Sequence, residues 1–151
     1  MLRSTLVRIF VVLACVASGA AQAGPLINKS LFGGLALDGY DAVAYQTDHQ
    51  AVPGKAEYSY RWQDASWRFA SADHLKLFKA DPQRYAPQYG GYCAYAVGAK
   101  NELVDVDPEA FSVVDGKLYL NYSKDIRAKW DADRAHLIEA ADRNWPALNR
   151  K

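Results

Sequence analysis

The sequence predicts an α+β domain in which a small antiparallel sheet of hairpins is combined with a middle helix and a long C-terminal helix. Two alternating runs, "EYSYRW" (57–62) and "ASWRFA" (65–70), flank a short polar turn and therefore predict a β-hairpin. A second hairpin is indicated by "FSVVDGKLYLNY" (111–122), because Asp-Gly favours a type I′ turn. Apolar residues at helical spacing follow each hairpin, so the predicted order is strand, hairpin, helix, irregular segment, hairpin and long helix. This order implies an α+β domain with a small antiparallel sheet.

The N-terminal residues are typical of a secretory signal peptide. Arg3 and Arg8 carry positive charge, and residues 6–16 are largely apolar. The Ala-Gln-Ala sequence at 21–23 offers the small residues that precede a cleavage site. We therefore expect a signal peptide at 1–23 and a periplasmic or secreted protein. The apolar segment is shorter than the ~20 residues of a membrane-spanning helix, so we expect no stable membrane span after cleavage.

The expected mature chain, residues 24–151, forms a single domain with its core at 35–145. Of the 18 basic residues, 16 remain after cleavage against 17 acidic ones, and no basic stripe stands out, so we expect no nucleic-acid binding. Its one cysteine, Cys93, excludes an internal disulfide. A retained N-terminal anchor and lipidation at Cys15 are the alternatives to simple cleavage.

The segments around the first hairpin are short. "LDGYDAVAYQ" (37–46) predicts a turn at Asp38-Gly39 and then a strand from Ala42 to Gln46, followed by a polar loop. Residues 92–97, "YCAYAV", are interpreted as a short strand or a buried turn.

Two serines are predicted to cap the helices. Ser71 can N-cap a middle helix that ends before Pro82. Ser123 can N-cap a long helix that runs to about Asn144, where Trp145-Pro146 stops it. The apolar stripe of this last helix comprises Ile126, Trp130, Leu137, Ala141 and, at its end, Trp145.

Cys93 is the first candidate for chemistry. The glycine pair before Tyr92 allows a sharp bend that would direct Tyr92, Cys93 and Tyr95 into one region. Cys93 and His74 are a possible nucleophile and base. The alternatives are that Cys93 fills the core and that His74 is a solvated residue on the helix surface. No pattern in the sequence is typical of a self-contained four-ligand zinc site.

Several segments resemble the YHS domain family, and in particular its small exported members. The resemblance covers roughly residues 35–145. Its motifs here are "DGYD" (38–41), "VAY" (43–45), "WRFAS" (67–71), "DP" (81–82), "PQYGGYCAYAV" (87–97) and "DPEAFSVVDGKLYLNY" (107–122).

The resemblance implies only part of that family's metal chemistry. Metal-binding members resemble a run of "DPVCGM" and then "F-C-S-x-x-C" or "Y-H-S" before the helix. Here Ala44 and Ala70 stand at cysteine positions, and only His74 keeps a side chain that can bind a metal. Without those cysteines, the sequence can still offer a two-residue copper or zinc site formed by the Cys93 thiolate and the His74 imidazole.

The leading interpretation is therefore an exported, non-catalytic binding domain with weak transition-metal binding or transfer. A second interpretation is a pocket for a small organic ligand, lined by Tyr40, Asp41, Tyr45, Tyr92 and Tyr95. The sequence is also consistent with a thiol-dependent enzyme and with a purely structural or interaction module. It does not specify the physiological ligand or the oligomeric state.

Overall fold

The computed structural model describes residues 26–150, which contain two β-hairpins, six α-helices and two short 3-10 helices, Leu37–Gly39 and Gln88–Gly91. The expected signal peptide (1–23) and Cys15 lie outside these residues. The elements are α1 (Ala44–Thr47), β1 (Lys55–Trp62), β2 (Ala65–Phe69), α2 (Ala72–Ala80), α3 (Pro82–Tyr85), α4 (Ala94–Lys100), β3 (Asp107–Val114), β4 (Lys117–Asn121), α5 (Lys124–Ala132) and α6 (Arg134–Leu148). The predicted α+β class is confirmed.

Both predicted hairpins are present as separate two-stranded antiparallel sheets. In the first, Tyr60 pairs with Trp67, and the turn residues Gln63 and Asp64 have φ angles of 48° and 60°. In the second, Val113 pairs with Leu118 across an Asp-Gly turn whose φ angles are 51° and 72°. Positive φ at both central residues defines the type I′ turn, whose twist matches that of the strands.

The two predicted serine caps are confirmed. Ser71 Oγ accepts a hydrogen bond from the backbone N–H of His74 at the start of α2. Ser123 Oγ does the same for Ile126 at the start of α5. Each cap satisfies a backbone donor that has no partner within its helix. Helix α2 ends before Pro82, also as predicted.

The predicted strand from Ala42 to Gln46 is wrong, since this segment contains the short helix α1. The reason is Asp41, whose Oδ1 accepts hydrogen bonds from the backbone N–H groups of Val43 and Ala44. An aspartate that captures the N–H groups two and three residues later favours helix initiation over an extended chain.

Residues 92–97 do not form the predicted strand or buried turn, because they enter α4, which begins at Ala94 and ends at Lys100. Asn101 closes this helix in the left-handed conformation, with a φ of 55°. Helix α4 packs closely on α6 because Gly98 has no side chain: a Cβ there would lie 2.5 Å from the Leu137 carbonyl oxygen.

The predicted single C-terminal helix is divided in two. Asp133, with φ −138° and ψ 32°, leaves the helical region and separates α5 from α6. The long C-terminal helix is thus α6, and it continues past Pro146, which lies inside it rather than stopping it. Among residues 26–150, no helix combines the length and apolar character needed to cross a membrane.

Two clusters of buried side chains form the core. The first core cluster is built around the β1–β2 hairpin and includes Trp67, Phe69 and Phe78. The second core cluster lies between α4, α5 and α6 and includes Trp130. Strand β4 supplies both clusters, because Leu118 and Leu120 belong to the first and Tyr119 to the second.

Candidate functional site

The glycine pair before Cys93 forms the sharp bend that the sequence predicts. Tyr89, Gly90 and Gly91 have φ angles of 53°, 61° and 84°. At Gly90 a Cβ would overlap the backbone carbonyl of Leu26, so this position requires glycine for space as well as for conformation. The bend places Cys93 at the start of α4.

Cys93 is almost completely buried, with an exposed fraction of 1%. Its backbone N–H donates to the Val104 carbonyl at 2.9 Å. Its Sγ atom lies 3.7 Å from Oδ1 of Asn121, a weak thiol–amide hydrogen bond. The same oxygen accepts the backbone N–H of Tyr95 at 3.1 Å, so Asn121 links the end of β4 to the start of α4.

Asn121 is itself fully buried, and its Nδ2 atom has no hydrogen-bond partner among the described residues. Leaving a buried amide donor unpaired costs roughly 1–3 kcal/mol. This polar side chain beside Cys93 was not predicted to be a site residue. Its only signal in the sequence is an asparagine within the apolar run of the second hairpin, and that position also fits a plain strand end.

A pocket of about 300 Å³ opens beside Cys93, and we call it the Cys93 pocket. Its walls come from α4, the loop after α4, the end of β4 and α5. The lining residues are Cys93, Tyr95, Ala96, Lys100, Val104, Tyr122 and Ile126. Apart from Cys93, the tyrosine hydroxyls and the exposed Lys100, the lining side chains are aromatic rings or aliphatic groups.

Two lining residues give the Cys93 pocket an open, partly polar rim. Tyr122 is 59% exposed although its ring is large and apolar. Lys100 forms no ion pair with an acidic group in residues 26–150. The pocket therefore combines an apolar interior with a cation that has no counter-charge within the described chain.

His74 belongs to a different hydrogen-bond network, centred on Asp41. Its Nδ1 atom lies 2.6 Å from Oδ2 of Asp41, and its side chain is only 16% exposed. The interpretation of His74 as a solvated surface residue is therefore wrong. Asp41 is completely buried, and its Oδ2 also accepts the backbone N–H of Ala70 at 2.8 Å. A buried carboxylate with these donors orients the imidazole ring rigidly.

The other ring nitrogen of His74, Nε2, makes two weaker contacts. His74 Nε2 lies 3.4 Å from Thr47 Oγ1 and 3.8 Å from Asp48 Oδ1. Thr47 Oγ1 in turn donates to Asp48 Oδ1 at 2.9 Å. With Nδ1 occupied by Asp41, Nε2 is the ring nitrogen that can meet a ligand.

Within residues 26–150, the hydrogen-bond networks of His74 and Cys93 share no residue. The structure thus brings His74 together with Asp41, and Cys93 together with Asn121. Within the part of the chain that is described, no group of three or more histidine, cysteine, aspartate or glutamate side chains is arranged to hold a metal ion.

The predicted tyrosines are also dispersed. Tyr45 is fully buried, and its hydroxyl donates to the Pro108 carbonyl at 2.9 Å. Tyr40 packs against the first core cluster, and Tyr92 lies against Trp145 with ring centroids 6.5 Å apart. Of the tyrosines predicted to bind a ligand, Tyr95 alone lines the Cys93 pocket.

Burial affects the acidity of two of these phenols. It raises the pKa of Tyr45 far above its ordinary value, with smaller contributions from nearby phenol and carboxylate groups. Burial and the Asp105 carboxylate also raise the pKa of Tyr92. Both phenols therefore hold their proton more firmly than a solvated tyrosine does, and Tyr45 uses it in its hydrogen bond to Pro108.

No protein-family model, curated protein or solved structure matches this chain.

Proposed function

We propose that this protein is an exported, non-catalytic binding protein that holds a small, largely apolar organic molecule in the Cys93 pocket. The observation that supports this proposal is the pocket of about 300 Å³ beside Tyr95 and Tyr122. Ligand sites are typically concave and apolar with a few polar groups, and their volumes begin at roughly 300 Å³. The ligand is therefore small, comparable to one substituted aromatic ring or a short alkyl chain.

The charge at the rim restricts the ligand further. Lys100 has no acidic partner in residues 26–150, so an anionic group on the ligand would give it one. The ligand class that fits is an amphipathic organic anion, with its apolar part against Ala96, Val104 and Ile126.

A binding role, rather than thiol catalysis, is favoured by the surroundings of Cys93. Its thiol contacts the neutral amide of Asn121, and no imidazole or carboxylate hydrogen-bonds to it in the described residues. Nucleophilic thiols depend on a base or a positive charge beside the sulfur.

Export and membership of the YHS family are parts of this proposal that depend on the sequence motifs. The charged, apolar and small-residue segments of residues 1–23 support export to the periplasm or the exterior. Cell fractionation with N-terminal sequencing of the mature protein tests this point. A cytoplasmic protein that still begins at Met1 would contradict it.

The pocket is tested by titrating the purified mature protein with anilinonaphthalene sulfonate, an apolar aromatic anion whose fluorescence rises in apolar surroundings. Saturable binding is expected. Ile126→Trp fills the pocket and abolishes the signal, whereas Lys100→Met weakens binding roughly tenfold through loss of the charge pair. Lys76→Met, on the exposed surface of α2, is the matched control and leaves the affinity unchanged.

Circular dichroism and thermal unfolding establish that each variant is folded before its binding is compared. Equal dye affinity in Ile126→Trp and in the unmodified protein would contradict binding at this pocket. Equal affinity in Lys100→Met and Lys76→Met would contradict the anionic class of ligand.

A second candidate function, weak transition-metal binding, is favoured by the Asp41–His74 pair. A carboxylate on one ring nitrogen is the usual support for a metal on the other. His74 Nε2 and the Asp48 carboxylate, 3.8 Å apart, would supply two donors, with water completing the shell. The separate hydrogen-bond networks favour His74 without Cys93 as the metal-binding side chain.

Calorimetric titration with zinc or copper(II) tests this second candidate. His74→Gln should abolish binding, while His136→Gln, an exposed residue of α6, should leave it unchanged. If Cys93→Ser abolishes metal binding instead, the metal is held by the thiol and the assignment to Asp48 fails.

A further inference from the structure

A second concavity, which we call the tryptophan groove, lies between the turn of the first hairpin, the loop after α3 and the C-terminal part of α6. Its volume is about 200 Å³, or roughly seven times the volume that a water molecule occupies in the liquid. The residues used in the following argument are Trp62, Gln63, Gln83, Gln88 and Trp145. The remaining walls are formed by Leu26, Ile27, Ala86, Pro87, Tyr89 and Gly90.

Hydrogen bonds fix the N-terminal wall of the groove. Leu26 N–H donates to the Asn149 side chain at 2.6 Å, and Asn28 N–H donates to the Gly90 carbonyl at 2.8 Å. The absence of a side chain at Gly90 lets the two backbone segments approach each other. The groove is thus formed by ordered backbone on this side.

The two indole rings of the groove are held by other aromatic rings. Trp62 packs edge-on against Trp67 and Phe78, each at a centroid distance of 5.7 Å. Trp145 packs against Tyr89 at 6.0 Å. Both rings are only partly buried, so they are held in place and still reach the groove. Ordered aromatic surfaces cost little conformational entropy when they bind a ligand.

The polar side chains of the groove include three glutamine amides. The side chains of Gln63, Gln83 and Gln88 make no hydrogen bond to any part of residues 26–150, unlike Gln46, which donates to the Arg84 carbonyl at 2.8 Å. Each amide offers two donor hydrogens and an acceptor oxygen. No charged side chain lines the groove among the residues that the structure describes.

We propose that the tryptophan groove binds a neutral saccharide. A sugar ring presents C–H groups on its faces and hydroxyl groups at its edge, so it can lie against an indole while its hydroxyls pair with amides. The volume accommodates one sugar ring. A longer saccharide would extend from the groove into solvent.

This ligand class fits the groove better than a charged or a purely apolar ligand. A charged ligand would find no opposite charge in the lining. A purely apolar ligand would remove the glutamine amides from water without giving them partners, which is unfavourable. Hydroxyl groups avoid both costs because they donate and accept hydrogen bonds.

The test is a titration of the ¹⁵N-labelled protein with cellobiose, maltose and diacetylchitobiose, followed by NMR. At least one disaccharide is expected to shift the indole N–H signals of Trp62 and Trp145. The signal of Trp130, fully buried in the second core cluster, serves as an internal reference and stays in place.

Two variants connect binding to the groove. Gln83→Leu and Gln88→Leu are each expected to weaken saccharide affinity roughly threefold to tenfold, the value of one hydrogen bond. Gln50→Leu, an exposed residue outside the groove, is the matched control and keeps the affinity of the unmodified protein. Because Gln83 is exposed on α3, its substitution leaves the core intact.

The proposal is overturned if none of the three disaccharides shifts the two indole signals. It is also overturned if both glutamine variants bind as tightly as Gln50→Leu, or if trialanine shifts the signals and the disaccharides do not. Tighter binding of glucuronate than of glucose would overturn the neutral class of ligand.

Discussion

Asp41 Oδ2 lies 2.6 Å from Nδ1 of His74, so a fully buried carboxylate joins the segment before α1 to the first turn of α2. The carboxyl group of Asp41 also accepts hydrogen bonds from the backbone N–H of Val43, just before α1, and from that of Ala70, just before α2. This one side chain therefore connects two helices and fixes the orientation of the histidine between them.

Asp41→Asn is expected to lower the free energy of unfolding by about 2–3 kcal/mol. The amide that replaces Oδ2 would direct donor hydrogens at the N–H of Ala70 and at the ring nitrogen of His74, and bonds to a charged group are each worth roughly 1.5–3 kcal/mol. Urea unfolding followed by circular dichroism measures the change. The exposed Asp48→Asn is the control, with an expected effect within about 0.5 kcal/mol. Equal changes in the free energy of unfolding for the two substitutions would show that the hydrogen bonds of Asp41 do not stabilise the fold.

The protein is expected to lose stability above about pH 10, the ordinary pKa of tyrosine. Burial raises the pKa of the Tyr45 phenol in the folded state, so above pH 10 the unfolded chain releases a proton that the folded chain retains. The unfolded state then binds fewer protons, and the free energy of unfolding falls as pH rises. Stability is fully present below the pKa of the unfolded chain.

Unfolding in urea at a series of alkaline pH values measures this dependence. Tyr45→Phe removes one of the buried phenols, so its stability should fall less steeply above pH 10. Burial also raises the pKa of Tyr89 and Tyr119, so a smaller fall remains in this variant. A slope unchanged by Tyr45→Phe would contradict the prediction.

Gly98→Ala is expected to destabilise the protein by about 1–3 kcal/mol, although alanine is the better helix former by about 1 kcal/mol. The added Cβ would lie 2.5 Å from the Leu137 carbonyl oxygen, so α4 must move away from α6. Thermal unfolding measures the effect. Ala99→Gly, at an exposed position of the same helix, measures the difference in helix propensity between alanine and glycine. It should lower the free energy of unfolding by about 0.5–1 kcal/mol. A stabilising Gly98→Ala would mean that the two helices do not pack as described.

Alkylation of Cys93 by iodoacetamide in the native protein is expected to be on the order of 100-fold slower than in urea, because the thiol is 1% exposed and reacts after local opening. Mass spectrometry over time measures both rates. A Lys76→Cys substitution in a Cys93→Ala background places a thiol on the exposed surface of α2 and should react at similar rates in both conditions. Rapid native alkylation of Cys93 would instead support the thiol enzyme.

The elements that the sequence predicts correctly depend on local chemistry. The first hairpin follows from two alternating runs around a polar turn, and the second from an Asp-Gly pair that favours positive φ. The starts of α2 and α5 follow from the serines that cap them. These signals involve residues within a few positions of one another. They hold whatever surrounds them in the fold.

Some of the wrong predictions concern segments in which distant contacts add to the local ones. Alternation in "DAVAYQ" is consistent with a strand, but Asp41 captures the N–H groups of α1 while its other oxygen bonds Ala70. The burial of His74 follows from that same long-range contact. The position of Asn121 beside Cys93 is likewise set by the packing of β4 against α4, which no local pattern indicates.

Strand β4 gives Leu118 and Leu120 to one core cluster and Tyr119 to the other. Neighbouring side chains of a strand point in opposite directions, so each face of β4 packs against a different core cluster. The strand therefore lies between the two clusters and contacts both. Loss of order on one side removes the support of the other, so the domain should melt in one cooperative step despite its two centres of packing. The amide hydrogens of β4 should accordingly be among the last to exchange with deuterium.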